Sequence, residues 1–203
     1  IDDAQFLIMD YIEQGSELNW AVFGEKLAQL HQIEGKYFGL DHNNYIGSLE
    51  QINQECRGWS EFYTNHRLIA LTAKARDQGL FEKKHCNWVE KLCQRLDELI
   101  PACKPSLIHG DLWSGNLLID TSGHPVLIDP AVYYGHPEMD WAMLSLFGSY
   151  PVEALDHYQN LHPLEKGLNE RKDIHQLYPL MVHLILFGKG YLNGVESTLK
   201  KYA

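Results

Sequence analysis

The sequence predicts an α+β fold that is predominantly α-helical, with one small β-hairpin. Apolar residues recur at spacings of three and four, as at Phe23, Leu27 and Leu30, and this period is typical of helices that bury one face. Short apolar runs on either side of a turn at residues 121–125 predict the hairpin. With 203 residues and 45% hydrophobic content, the chain can bury a substantial core.

The predicted elements follow one another along the chain. An apolar run over residues 6–12 predicts a strand, and Ser16 stands where it can cap the helix that carries Phe23. Residues 35–58 are rich in Asn and Gly, which predicts a long loop of the kind that serves a site. Further helices are predicted over 59–100 with a break at 77–79 and a stop at Pro101, and over 137–147, 152–160 and 171–187.

Composition excludes several classes of partner. The net charge is −10, from 17 basic and 27 acidic residues, and this charge repels nucleic-acid phosphates and anionic lipid. No apolar run approaches the roughly 20 residues that span a bilayer. The cysteines form no C-x-x-C pair, which favours reduced thiols, with a disulfide between Cys93 and Cys103 as the alternative. We therefore expect a cytoplasmic protein that binds neither nucleic acid nor membrane.

Asp111, Asn116 and Asp129 have the order and spacing of a phosphoryl-transfer site. Asn116 follows Asp111 by five residues, as in the protein-kinase loop H-R-D-L-x-x-x-N, and Asp129 follows where D-F-G would supply a metal-binding Asp. A carboxylate at 111 suits the deprotonation of an acceptor hydroxyl, and oxygens at 116 and 129 suit Mg²⁺. Either Asp alone is explained as a turn residue. The ordered set predicts a kinase.

Several motifs make the chain resemble the fructosamine kinase (ketosamine 3-kinase) family, which belongs with aminoglycoside and choline kinases in the protein-kinase-like fold. Residues 109–116, H-G-D-L-W-S-G-N, match the family pattern H-G-D-L-W-x-G-N. Trp113 is the specific part, because aminoglycoside-type kinases usually carry His-Pro after the Leu. The segments 129–131 and 134–138 match as well.

The resemblance implies the C-terminal lobe of a protein-kinase-like fold. Residues 1–15 would form the last strand of the N-terminal lobe and the hinge, and residues 16–203 the helical lobe with the catalytic loop. We find no glycine-rich phosphate loop and no strand Lys in the sequence, so we expect that the rest of the N-terminal lobe is missing from it.

The resemblance also implies a role for individual residues. These roles are Asp111 as the catalytic base, Asn116 and Asp129 as magnesium ligands, Met9, Asp10 and Tyr11 as the hinge whose backbone meets the adenine, Leu118 as the apolar floor under that base, and His109 and Asp140 as supports of the catalytic loop. For Met9, Tyr11 and Leu118 the alternative is ordinary core packing. For Asp140 the alternative is a helix cap.

Two departures from protein kinases predict a small acceptor. Trp113 stands where Ser/Thr kinases place a Lys, and only ten residues separate Asp129 from Asp140, which leaves no room for a long activation segment. The indole of Trp113 offers a face to a sugar ring or an amine cation, although core packing is an equal alternative for an aromatic residue. We also expect Glu138 near this acceptor, where an acidic group would favour a cationic amine.

The sequence therefore predicts a kinase that uses ATP and Mg²⁺ to phosphorylate the sugar moiety of ketosamines, fructosamine or ribulosamine, on glycated amines or proteins. One alternative is an aminoglycoside- or choline-type phosphotransferase, against which Trp113 and the segment 129–131 argue. Two others are a non-catalytic nucleotide-binding protein and a metal-dependent hydrolase. The presence of Asp111, Asn116 and Asp129 together argues against a silent protein.

Overall fold

The computed structural model describes residues 7–202, and within that range helices surround three two-stranded antiparallel sheets. The helices are α1 (Trp20–His31), α2 (Trp59–Phe62), α3 (Ala70–Asp77), α4 (Lys83–Cys93), α5 (Leu96–Leu99), α6 (Glu138–Leu144), α7 (Val152–Leu161), α8 (Leu168–Phe187) and α9 (Leu192–Tyr202). The paired strands are β1 (Asn44–Ile46) with β2 (Leu49–Gln51), β3 (Ser106–Ile108) with β6 (Tyr133–Gly135), and β4 (Leu117–Ile119) with β5 (Pro125–Leu127).

The predicted strand over residues 6–12 is wrong for the part that the structure describes. Phe6 lies outside the described residues, and residues 7–12 have no regular structure. Leu7 and Ile8 are 84% and 92% exposed, so the start of this apolar run is not buried against the described chain. A strand forms only where a neighbour pairs its backbone groups. The first such pairing is the bridge from Gln14 to Asp120.

Helix α1 begins at a different cap from the predicted one. The side-chain oxygen of Asn19 accepts a hydrogen bond from the Val22 amide at 3.1 Å, so Asn19 caps the helix and Ser16 does not. The helix packs closely on α7, because Gly24 lies against the carbonyl of Ala154 and a Cβ at Gly24 would stand 2.1 Å from that oxygen. Close backbone approach of this kind requires glycine.

The predicted loop over residues 35–58 contains a hairpin. Strands β1 and β2 turn at Gly47, whose φ of +55° suits glycine, and a bridge between Phe38 and Cys56 closes the base of the segment. Each strand has only three residues, which is too short for an alternating pattern to stand out among Asn and Gly. The prediction of an irregular loop is therefore wrong at its centre.

The helical segment from residue 59 contains a π-helical turn that no pattern predicted. Helix α2 continues through the π-helix Tyr63–Ile69 into α3, and the chain breaks at Gly79 with a φ of +67°, as predicted. Arg67, within the π-helix, is fully buried and donates to the side-chain oxygen of Asn53 at 2.9 Å. Its guanidinium lies 4.1 Å from the ring centre of Tyr133, at cation–π distance.

The remaining helices confirm the predicted segments, with one addition. Helices α6, α7 and α8 cover the three predicted regions, and α8 ends where Gly188 adopts a φ of +88°. Helix α9 was not predicted, although Val195, Leu199 and Tyr202 recur at helical spacing and are buried in the core. The flanking glycines and lysines hid this period.

Two hydrophobic clusters form the core around the functional loops. The larger contains Phe62, Tyr133 and Leu184, and the smaller joins α1, α6 and α7 through Phe23 and Trp141.

All four cysteines are free thiols, so the alternative of a disulfide does not apply. Among the described residues, no helix combines the length and hydropathy that a membrane crossing requires.

Candidate active site

The structure brings Asp111, Asn116 and Asp129 together. The side-chain amide of Asn116 donates to the Asp111 carbonyl at 2.9 Å and to its carboxylate Oδ2 at 3.2 Å, and lies 3.4 Å from the Asp129 carbonyl. Hairpin β4–β5 creates this arrangement, because the Ile128 amide bonds the Asn116 carbonyl at 3.0 Å. One buried amide thus connects the two acidic loops.

Asp111 and Asp129 differ in their surroundings. Partial burial raises the pKa of the Asp111 carboxyl, against the opposing effects of His109, His183 and the hydrogen bond from Asn116. A raised pKa makes a carboxylate a better proton acceptor near neutral pH.

Asp129 instead is exposed and adopts a φ of +51°, unlike every other non-glycine residue that the structure describes. Such a conformation costs about 1–3 kcal/mol and is concentrated at functional sites.

A buried carboxylate on α6 holds the backbone of the catalytic loop. Asp140 accepts hydrogen bonds from the amides of His109 at 2.8 Å and Gly110 at 2.9 Å, and from His31 Nε2 at 3.1 Å. Burial alone would raise the pKa of Asp140, but the hydrogen bonds from His31 and Gly110 keep it below its usual value. Asp140 is therefore ionised and holds the backbone of His109 and Gly110, which is more than a helix cap does.

His31 and Tyr158 belong to the same support and were missed as functional residues. His31 Nδ1 lies 2.7 Å from the Tyr158 hydroxyl while Nε2 contacts Asp140, so the imidazole links α1 and α7 to the catalytic loop. The sequence signal is a histidine at helical spacing from Phe23 and Leu27, on the inner face of α1. A buried imidazole needs polar partners on both nitrogens, and this requirement was the available clue.

His109 contacts both sides of the site. Its Nε2 donates to the Ile128 carbonyl at 3.0 Å, just before Asp129, and its Nδ1 accepts from the Asp111 amide at 3.3 Å. The ring is buried, so it acts as a spacer between the catalytic loop and the hairpin. His109 thus contacts both the catalytic loop and the segment that leads into Asp129.

The β1–β2 hairpin fastens the chain that follows Asp129, and sequence reasoning missed this contact. Gln51 donates to the Ala131 carbonyl at 3.1 Å and accepts from the Tyr178 hydroxyl at 2.8 Å. Asn44 donates to the Val132 carbonyl at 2.8 Å. Gln51 is buried, and amide side chains in such positions are held by full hydrogen bonding. Asparagine in a presumed loop gave no signal that distinguished it from turn residues.

Trp113 lies at the surface of the catalytic loop, and is not a core residue. Its side chain is 39% exposed and covers Gly115, where a Cβ would stand 2.2 Å from the indole ring. Its amide donates to the Asp111 carbonyl at 3.1 Å, which ties the indole to the candidate base. The indole forms one wall of an aromatic pocket together with Phe147, His183, Phe187 and Tyr191.

The expectation that Glu138 lies beside the acceptor is wrong. Its side chain is 1% exposed, and its two oxygens are bound by Arg171, with His175 Nε2 at 3.2 Å. Burial would raise the pKa of Glu138, but His175 and Arg171 lower it to about 2. The carboxylate is thus committed to an internal ion pair, because its position at the start of α6 turns it towards α8 and away from solvent.

The proposed hinge residues are near the site in sequence but exposed in the structure. Met9 and Tyr11 are 63% and 90% exposed, Asp10 is exposed too, and Leu118 on β4 is half-buried. The chain returns to the fold at Gly15, whose amide donates to the Ile119 carbonyl at 2.9 Å. Residues 9–11 precede this contact with β4, the strand that carries Leu118, and are themselves exposed.

These features define a phosphotransferase of the protein-kinase-like fold. An ADP-bound aminoglycoside phosphotransferase matches 94% of this chain and 69% of its own with a TM-score of 0.54, and the 14% identity shows likeness of fold alone. A crystal structure described as a "putative fructosamine-3-kinase" from Thermobifida fusca matches far better. It has a TM-score of 0.89 and 36% identity over 95% of this chain and 68% of that one.

Sequence relatives identify the family. A "Probable ketoamine kinase" of Lactiplantibacillus plantarum is 40% identical over 199 residues, which cover 97% of this chain and 71% of the relative. The model of the family described as "Fructosamine kinase" matches residues 1–203. The chain belongs to the fructosamine kinase family, as its motifs predicted.

Proposed function

We propose that the protein transfers the terminal phosphoryl group of ATP, with Mg²⁺, to a sugar hydroxyl of a ketoamine. The observation that carries this proposal is the contact of Asn116 with both Asp111 and Asp129. This contact supports a proton acceptor at Asp111 beside proposed oxygen ligands for a divalent cation at Asn116 and Asp129, as phosphoryl transfer requires. Membership of a kinase family supports the use of ATP, and the names of the relatives support the acceptor class.

The hydrogen bonds of Asn116 leave one atom free for a cation. Its Nδ2 faces three oxygens, so its Oδ1 is the atom that remains available. The exposed carboxylate of Asp129 is the second ligand in the proposal. Asp111 accepts the proton of the acceptor hydroxyl, and its partial burial and raised pKa fit that role.

The acceptor and the nucleotide approach from different sides of the loop. Trp113 offers an exposed indole face to the sugar ring or the amine cation of a ketoamine, either fructosyl or ribulosyl. The adenine is proposed to meet the backbone of residues 9–11, the segment of Met9, Asp10 and Tyr11, with Leu118 beneath it. The return of the chain at Gly15 to β4 supports this side.

Two substitutions in the full-length protein test the assignment. Asp111→Asn should lower kcat for a fructosylamine by roughly 100-fold or more, since a general base contributes that much, while the affinity for nucleotide stays. Asp129→Asn should raise the Mg²⁺ concentration needed for half-maximal activity. Asp156→Asn, an exposed carboxylate on α7, is the matched control and should keep the rate.

Two results would contradict the proposal. Near-normal turnover by both variants would remove Asp111 and Asp129 from the chemistry. A kcat/KM higher for choline or an aminoglycoside than for fructosyl- and ribulosylamines would transfer the protein to the alternative acceptor class.

A further inference from the structure

An aromatic pocket beside the catalytic loop holds more side chains than the proposed function uses. Its volume is about 300 Å³. Its lining consists of Trp113, Phe147, His183, Phe187 and Tyr191. Within the part of the chain that the structure describes, no carboxylate, lysine or arginine lines it. The pocket therefore suits an apolar group and offers no charged partner to an anion.

Phe147 and Phe187 are unusually exposed for phenylalanine. They are 44% and 67% exposed; Phe147 lies three residues after the end of α6, and Phe187 is the last residue of α8. Both pack on His183, with ring centres 4.9 and 5.4 Å away, and Tyr191 lies 5.1 Å from the same ring. Apolar groups clustered at a surface commonly mark a binding site. Packing on His183 limits the conformations of these rings, which lowers the entropy cost of binding a ligand.

The pocket is continuous with the catalytic loop. His183 Nδ1 donates to the Pro179 carbonyl at 2.7 Å, which fixes the ring at the pocket floor. Trp113 borders both the loop and the pocket, because its amide bonds the Asp111 carbonyl while its indole lines the pocket. An acceptor lying along Trp113 with one end at Asp111 thus has its other end in the pocket.

We propose that Phe147, Phe187 and Tyr191 form the subsite for the substituent on the ketoamine nitrogen, and that this subsite selects aromatic or alkyl substituents over charged ones. The inference rests on the proposed function. The reacting hydroxyl belongs to the sugar, so the group beyond the nitrogen is the part that reaches the pocket. An apolar substituent is favoured because its burial removes apolar surface from water on both partners.

The test compares fructosylamines with one sugar and three nitrogen substituents: benzyl, methyl and carboxymethyl. For the full-length protein with ATP and Mg²⁺, kcat/KM should be roughly tenfold higher for benzyl than for methyl, as expected for partial burial of a phenyl ring. The carboxymethyl compound should be the poorest. Phe187→Ala and Phe147→Ala should each lower the benzyl-to-methyl ratio to about twofold, mostly through KM for the benzyl compound.

Val152→Ala is the control, since Val152 is 72% exposed and lies outside the pocket, and it should keep the wild-type ratio. A benzyl-to-methyl ratio of kcat/KM near one in the wild type, or a ratio unchanged in both Phe variants, would overturn the subsite. Phosphorylation of all three compounds would still support the proposed function in either case. Absence of phosphorylation of any ketoamine would overturn both. A dimer that Phe187→Ala dissociates, with no substituent preference, would make the pocket a contact between copies of the chain.

Discussion

Replacing Asp140 with asparagine should destabilise the protein and slow catalysis together. The carboxylate serves three donors, with Oδ2 facing His109 and His31 and Oδ1 facing the Gly110 amide. Asparagine has one oxygen, so its NH₂ group must oppose a donor and leave that donor unsatisfied in the core. An unsatisfied buried donor costs about 1–3 kcal/mol, and the remaining bonds lose their charge assistance. We expect a total loss of about 3 kcal/mol.

The assay is urea or thermal unfolding followed by circular dichroism. For a chain of this size, about 3 kcal/mol corresponds to a fall in Tm of roughly 6–12 °C. Asp156→Asn on α7 makes the same chemical change at an exposed position and should shift Tm by little. The reasoning is refuted if Asp140→Asn changes the unfolding free energy by less than about 0.5 kcal/mol. It is also refuted if kcat stays at the wild-type value while stability falls, because the loop geometry would then not depend on Asp140.

Two further predictions concern the metal loop and acid stability. Gln51→Leu removes the donor to the Ala131 carbonyl, a hydrogen bond of about 1 kcal/mol that positions Asp129. The Mg²⁺ concentration needed for half-maximal activity should therefore rise about fivefold. Glu50→Gln, on the exposed face of the same strand, should leave this concentration unchanged. Burial and the neighbouring histidine lower the pKa of His136 from 6.5 to about 3, so below pH 6.5 the unfolded state binds a proton that the folded state does not. The free energy of unfolding should therefore fall as the pH drops through this window, by up to about 1.4 kcal/mol per pH unit. In urea titrations, His136→Phe should show a shallower fall between pH 6.5 and 5 than the wild type. Equal slopes for the two proteins would contradict the assignment to His136.

Local signals predicted the helices and the central hairpin. Phe23 and Leu27 repeat with the period of a helix, and the turn at 121–125 separates two apolar runs, so each element is specified by residues that are neighbours in sequence. The acidic residues of the site were found for the same reason, because Asp111 and Asn116 share one short loop.

Contacts between distant segments could not be predicted in this way. Gln51 meets Ala131 across 80 positions, and His31 meets Asp140 across 109. Nothing near Gln51 or His31 distinguishes them from a loop amide and a core imidazole. The prediction for Glu138 was wrong for the same reason. Its position in the motif suggested a place near the acceptor, but an ion pair with Arg171, 33 residues later, holds its side chain in the core. Local sequence patterns therefore identify the residues that can take part in catalysis, but contacts between distant segments determine whether their side chains face the site.

The π-helical turn over Tyr63–Ile69 has a consequence for aligning this chain with its relatives. A π-helix accommodates an additional residue without lengthening the helix by a full step, so it commonly corresponds to a one-residue insertion. Without the insertion, the faces of α2 and α3 would differ by about 100° in rotation, and Arg67 would leave the aromatic rings that surround it. When this chain is aligned with a relative that lacks the π-helix, a one-residue gap therefore belongs within Tyr63–Ile69. A gap placed elsewhere would align buried residues with exposed ones along α3.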